Sequence, residues 1–161
     1  MTKQLFWLMV WGVAFGYMEA AVVVYLREIY YPEGFAFPLV IIQDRIMLTE
    51  VFREAATLLI ILATVCLAYQ RLQSRIAAFI VLFGIWDIFY YIFLKLLLNW
   101  PESLGTLDIL FLIPAPWVGP IWAPVLISIG FIYAGTAILM RNHQSHYLHF
   151  NRVFILFEFF A

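Results

Sequence analysis

The chain has 161 residues, of which 66% are hydrophobic, 19% aromatic and 12% charged, and its formal net charge is −1 at pH 7. Soluble domains contain about 25% charged residues, so this composition is that of a membrane protein. We therefore expect the lipid bilayer to be one of its partners. The charge balance excludes a basic nucleic-acid surface, and the single cysteine, Cys66, excludes a disulfide framework.

The first apolar segment, near 5–26, is interpreted as an uncleaved membrane span. It continues past Glu19, and no small-x-small cleavage site follows its first part. Gly12, Gly16, Glu19 and Arg27 lie on one side of such a helix. The two glycines form a small-xxx-small pair, which lets a neighbouring backbone approach closely.

Three further segments have the length of about 20 apolar residues that a bilayer-crossing helix needs. They lie near 47–69, 76–98 and 121–140. The short polar run 70–75 predicts that the second and third spans form an antiparallel helical pair.

Ionisable and polar side chains recur inside the second and third spans. A charged side chain near the bilayer centre costs about 2.5–3.5 kcal/mol on insertion scales, so such residues mark a functional or assembly site. The residues concerned are Glu50, Arg53 and Glu54 in the second span and Asp87, Tyr91 and Lys95 in the third.

The lysines and arginines of the short loops predict the orientation, because cytoplasmic loops are enriched in them. With four spans, these residues and both termini fall on the same side, which is therefore predicted to be cytoplasmic. The residues are Lys3, Arg71, Arg75, Arg141 and Arg152. We expect an all-α, four-transmembrane-helix bundle, multi-pass in the inner membrane, as a single transmembrane domain over 1–161.

The outer loop, 99–120, is proline-rich and contains the apolar run 107–113. Thr106 is suited to cap a short helix there, but seven helical residues reach only about 10 Å. We therefore expect a half-helix that lies on the outer surface or is re-entrant.

The C-terminal segment, 141–161, ends in an apolar stretch that is too short to span a bilayer. We expect it to lie in the inner interface as an amphipathic helix or to dock on another subunit. His143, His146 and His149 are three residues apart, but this spacing is a weak signal, and no metal site is predicted.

Helical phase and depth gather the buried charges into one cluster, in the outer half of the first three spans. With Glu28 included, five acids face three bases, and the surplus favours a cation, a proton or a hydrogen-bonding ligand. The structural alternative is a set of ion pairs that fix helix register, such as Glu19 with Arg27 or Arg53, and Asp87 with Lys95. The ligand- or proton-binding candidates are Glu19, Arg27, Glu50, Arg53, Glu54, Asp87, Tyr91 and Lys95.

The sequence is compatible with three functions. The leading prediction is a subunit or accessory component of a membrane complex, or a homo-oligomer, because the chain is small, ends in an apolar tail and lacks the internal repeat of many transporters. The alternative is a proton- or cation-linked module for small-molecule binding or transport. The third is an intramembrane enzyme that acts on a lipid or quinone. The pattern identifies no cofactor and no catalytic residue.

Overall fold

The computed structural model describes residues 3–35 and 44–143. It contains four helices that are long and apolar enough to span a membrane, which confirms the predicted helical bundle of a multi-pass membrane protein. The helices are α1 (Lys3–Tyr30), α2 (Asp44–Ala68), α3 (Leu72–Leu98) and α4 (Trp122–His143).

Helix α3 forms the centre of the bundle. It packs closely against α1 and α4 and more sparsely against α2. The apolar core follows from this arrangement, since the most deeply buried side chains of α3, among them Val81 and Leu82, meet Leu8 of α1 and Ile61 of α2. The sparse packing of α2 leaves space beside α3 for polar side chains.

Glycines set the close spacing on both sides of α3. A Cβ atom at Gly16 of α1 would lie 2.9 Å from the backbone oxygen of Trp86, and one at Gly84 would lie 2.7 Å from the backbone oxygen of Ser128 in α4. Gly12 likewise faces α3. The small-residue pair of α1 is thus used for helix packing inside the chain.

The prediction of a half-helix in the outer loop is wrong, because this segment forms a β-hairpin. Strand β1 (Leu107–Phe111) pairs antiparallel with β2 (Trp117–Pro120), with Asp108 opposite Gly119. The partner strand binds backbone groups that an isolated helical turn would leave unpaired. Pro114 in the connection also lacks the N–H that helix extension requires.

Thr106, the expected helix cap, belongs to the turn that precedes the hairpin. Its hydroxyl accepts a hydrogen bond from the backbone N–H of Ser103 at 3.2 Å. Its carbonyl accepts one from the N–H of Ile121 at 3.1 Å. The two ends of the hairpin segment are thereby held together.

We call the end of the bundle that carries the β-hairpin the hairpin end, and the opposite end, with the α2–α3 connection, the turn end. At the turn end, the Asn142 side chain donates to the hydroxyl of Ser74 at 3.1 Å, which joins α4 to α3. The C-terminal tail beyond His143 lies outside the described residues, together with His146 and His149. Its predicted place in the inner interface stays a prediction, as does the cytoplasmic location of both termini.

Candidate functional site

Arg53 lies at the centre of an ionic network between α1 and α2. Its guanidinium forms ion pairs with Glu19 of α1 and, at 2.6 Å, with Glu50 one turn earlier on α2. The hydroxyl of Thr57 also donates to Glu19, at 3.3 Å. Of the two pairings considered for Glu19, the structure therefore shows the one with Arg53, and this network ties the sparsely packed α2 to the bundle.

Glu54, adjacent to this network, binds the hairpin. Its carboxylate accepts hydrogen bonds from the backbone N–H groups of Leu112 and Ile113, at 2.8 and 3.0 Å. These residues follow β1 directly. Two bonds to a charged acceptor are among the stronger contacts available to backbone groups, so Glu54 fixes this end of the strand over α2.

Arg27 binds the other end of the same strand. Its Nη2 atom lies 3.2 Å from Oδ1 of Asp108, and both side chains are less than a tenth exposed. The guanidinium also stacks on the rings of Trp100 and Phe35, at 3.6 and 4.3 Å from their centroids. Arg27 is thus a contact between α1 and the hairpin, at the opposite end of β1 from Glu54.

Asp108 was not among the predicted site residues, and it is one of the most buried charged groups. Burial raises the pKa of Asp108 to about 6, because loss of hydration outweighs the opposing effects of the Arg27 charge, the Ile109 backbone hydrogen bond and the Tyr91 hydrogen bond. Its position opposite Gly119 in the hairpin directs it toward the bundle. The strand register is therefore the signal that identifies Asp108 as a site residue, and this register exists only once the hairpin has formed.

Asp87, near the middle of α3, is 5% exposed and accepts a hydrogen bond from the hydroxyl of Ser128 at 2.8 Å. Within residues 3–35 and 44–143, no cationic side chain forms an ion pair with it. Lys95, the proposed structural partner, instead donates to the backbone oxygens of Asn99 and Pro101 at the end of α3, at 3.2 and 3.0 Å. Lys95 therefore caps its own helix.

A small cavity of about 70 Å³ lies where these groups meet. Leu110 and Phe111 of β1 cover it from the hairpin end, and Phe111 stacks on Phe83 of α3 at 5.9 Å. Its polar and charged walls comprise Glu19, Arg53, Glu54, Asp87, Tyr90 and Tyr91. Five of the eight candidate residues thus line one cavity. Glu50 is linked to it by its ion pair with Arg53, and Arg27 by its ion pair with Asp108 of the hairpin.

The charge balance of the site is more acidic than the sequence indicated. Glu28 is exposed and Lys95 lies apart, whereas Asp108 joins the site. Five carboxylates then stand against two guanidinium groups, a surplus of three acids, comprising Glu19, Glu50, Glu54, Asp87 and Asp108 against Arg27 and Arg53. Among the described residues, no group of three histidine, cysteine or acidic side chains is arranged to hold a metal ion.

No family model, curated protein or solved structure matches this chain. The coarse class, a multi-pass membrane protein with a helical bundle, rests on the four long apolar helices.

Proposed function

We propose that this protein is a proton-linked binding module of the inner membrane, whose pocket opens to the outer side beneath the hairpin. One observation supports this most strongly. Asp87 and Glu54 line the same cavity, and in the described part of the chain neither forms an ion pair with a basic side chain.

The physical reason is the cost of unbalanced charge in a membrane. An ionised carboxylate in an apolar interior is expensive unless a cation or several donors balance it. Glu54 receives two backbone N–H bonds, but Asp87 receives only the Ser128 hydroxyl among the hydrogen bonds described. Asp87 is therefore the acid that we propose carries a proton at neutral pH.

The orientation is supported by the distribution of charge between the two ends of the bundle. Lys3 and Arg141 stand at the start of α1 and near the end of α4, both at the turn end. Arg71 and Arg75 flank the start of α3 at the same end. Because basic residues are enriched on the cytoplasmic side, we place the hairpin end outside.

Cavity size limits what can bind without movement. A volume of about 70 Å³ accommodates a few water molecules or a very small cation. A larger solute enters only if Leu110 and Phe111 move away with the hairpin. Such a solute is expected to be cationic or rich in hydrogen-bond donors, because the walls carry a surplus of carboxylates.

Infrared titration of the purified protein tests the proposal. We expect a protonated carboxyl band at neutral pH that is missing from Asp87→Asn, since asparagine preserves the shape and can still accept the Ser128 hydrogen bond. Glu102→Gln, at an exposed carboxylate, is the matched control and should retain the band. A wild-type protein whose carboxyls are all ionised at neutral pH contradicts the proposal.

A second candidate, the complex subunit or homo-oligomer, is supported by Gly130. The glycines of α1 and α3 and Gly135 of α4 face neighbouring helices, whereas a Cβ atom at Gly130 would have nothing within 4 Å. Gly130 shares an exposed face of α4 with Ala134 and Ala137. A face of small residues suits close contact with another membrane helix.

Cross-linking tests this second candidate. In a Cys66→Ala background, Gly130→Cys is expected to form a disulfide-linked dimer if α4 meets α4 of a second copy. Leu62→Cys, on an exposed face of α2, is the matched control. A Gly130→Cys protein that stays monomeric, and migrates in mild detergent as a monomer without other subunits, contradicts it. The enzyme alternative stays a prediction from the sequence.

A further inference from the structure

Trp86 has a buried polar atom that its protein neighbours leave unsatisfied. The residue is 6% exposed, and its indole Nε1 has no hydrogen-bond partner among the described residues. A buried donor without a partner destabilises the folded state. Such groups are commonly satisfied by ordered water. Trp86 lines the cavity that also contains Asp87 and Glu54.

The cavity has the size and polarity that bound water requires. A water molecule occupies about 30 Å³ in the liquid and needs two to four polar partners. The volume of about 70 Å³ meets the first condition and excludes an organic solute of ordinary size. Carboxylates at Glu19, Glu54 and Asp87 supply acceptors and Tyr90 also lines the cavity, whereas the Tyr91 hydroxyl is hydrogen-bonded to Asp108.

We propose that the cavity holds ordered water that connects Trp86 with the carboxyls of Asp87 and Glu54 and relays protons to Asp87 from the hairpin end. The inference rests on the proposed function and names the route by which the proton arrives. The indole N–H of Trp86 donates a hydrogen bond to the water oxygen, which leaves both hydrogens of the water available to the carboxyl groups. Arg53, held by Glu19 and Glu50, remains a fixed cation beside the route.

Each transfer conserves atoms and charge. A proton that arrives from the hairpin end adds to the water oxygen, and the same water gives one of its own protons to the Asp87 carboxylate. The products are a protonated Asp87 and an unchanged water molecule. Glu54, which binds the hairpin backbone at Leu112 and Ile113, lies on the side of the cavity where the proton enters.

Infrared difference spectroscopy across the Asp87 titration, in ordinary and heavy-oxygen water, tests the inference. We expect a water O–H stretching band that changes together with the Asp87 carboxyl band and shifts in heavy-oxygen water. Trp86→Phe keeps the aromatic ring and removes the N–H, so the water band should shift or disappear while the carboxyl band stays. Trp122→Phe, at a half-exposed ring on α4, is the matched control and should change neither band.

The outcomes separate the two proposals. An Asp87 carboxyl band that titrates without any isotope-sensitive water band overturns the relay and leaves the proposed function standing. A carboxyl band absent from the wild type contradicts both. If Trp86→Phe does not accumulate, a comparison of the wild type with Asp87→Asn still tests the relay. The relay requires the water band to differ between these two proteins.

Discussion

The guanidinium of Arg27, on the first helix, lies 3.2 Å from the carboxylate of Asp108, on the first strand of the hairpin. The two residues are 81 positions apart in the chain and both are buried. Together with Glu54, which binds the backbone just after the same strand, this pair holds the hairpin over the cavity. The cover of the pocket is therefore held by charged groups at both ends of one strand.

Removal of one partner of this pair should be far more harmful than removal of both. Asp108→Leu leaves a buried guanidinium without its counter-charge, and we expect a loss of about 3–5 kcal/mol in the free energy of unfolding. The double variant Arg27→Met/Asp108→Leu should recover most of that loss. Unfolding of the wild type, Arg27→Met, Asp108→Leu and the double variant in one detergent measures the coupling, and additive effects would contradict a direct interaction.

Asp108 also gives stability a pH dependence of defined sign. Its pKa in the fold is about 6, above its ordinary value of 3.8, so the folded state holds this proton more tightly than the unfolded state does. The stabilising contribution is fully present below pH 3.8 and is lost as the pH rises through about 6.

Relative to Asp108→Asn, which has no such proton, the wild type should lose up to about 3 kcal/mol across that window. Thermal unfolding of both proteins over a pH series measures the difference. Stability profiles that run parallel from acid to neutral pH would show that Asp108 does not titrate in this range.

Two glycines of the bundle should respond oppositely to the same substitution. Gly84→Ala places a methyl group 2.7 Å from the backbone oxygen of Ser128, so we expect α4 to move and stability to fall by about 1–3 kcal/mol. Gly130→Ala meets nothing within 4 Å and should be neutral or slightly stabilising. Unfolding temperatures of the two variants compare them, and equal losses would argue against close α3–α4 packing.

Lys95 should behave as a helix cap rather than as a member of the site. Lys95→Met removes hydrogen bonds to two exposed or partly buried backbone oxygens, so we expect a loss of about 1 kcal/mol or less. The protonated carboxyl band assigned to Asp87 should be unchanged. A titration of that band displaced to higher pH in Lys95→Met would show that Lys95 acts on Asp87 and belongs to the site.

The helices could be predicted from the sequence because each one is encoded by a continuous apolar segment. Hydropathy finds such a segment without knowledge of its neighbours, and the spacing of Gly12 and Gly16 also predicted a close helix contact. The pairing of Arg53 with Glu19 was one of two options, since helical phase alone does not distinguish neighbouring arginines.

The hairpin and its residues could not be predicted in the same way. The apolar run at 107–113 has no decisive period, and its strand conformation depends on pairing with β2. Asp108 reaches Arg27 only through that pairing. Ser128 is an ordinary polar residue of α4, and its bond to Asp87 follows from the close approach of the two helices at Gly84.

The proposed pocket is entered from outside, beneath the hairpin. Val23 lines the cavity, and Cys66 is the chain's one native thiol, so Val23→Cys in a Cys66→Ala background reports access. Labelling of intact cells with a membrane-impermeant maleimide is the direct measurement. Exposed cysteines at Ser103, at the hairpin end, and Gln70, at the turn end, serve as matched controls.

We expect rapid labelling of Ser103→Cys and no labelling of Gln70→Cys in intact cells. Val23→Cys should react slowly, and markedly faster once Glu54→Ala releases the hairpin from α2. Reaction of Val23→Cys only after the membrane is permeabilised, or a rate that Glu54→Ala does not change, would contradict an outward-facing pocket covered by the hairpin.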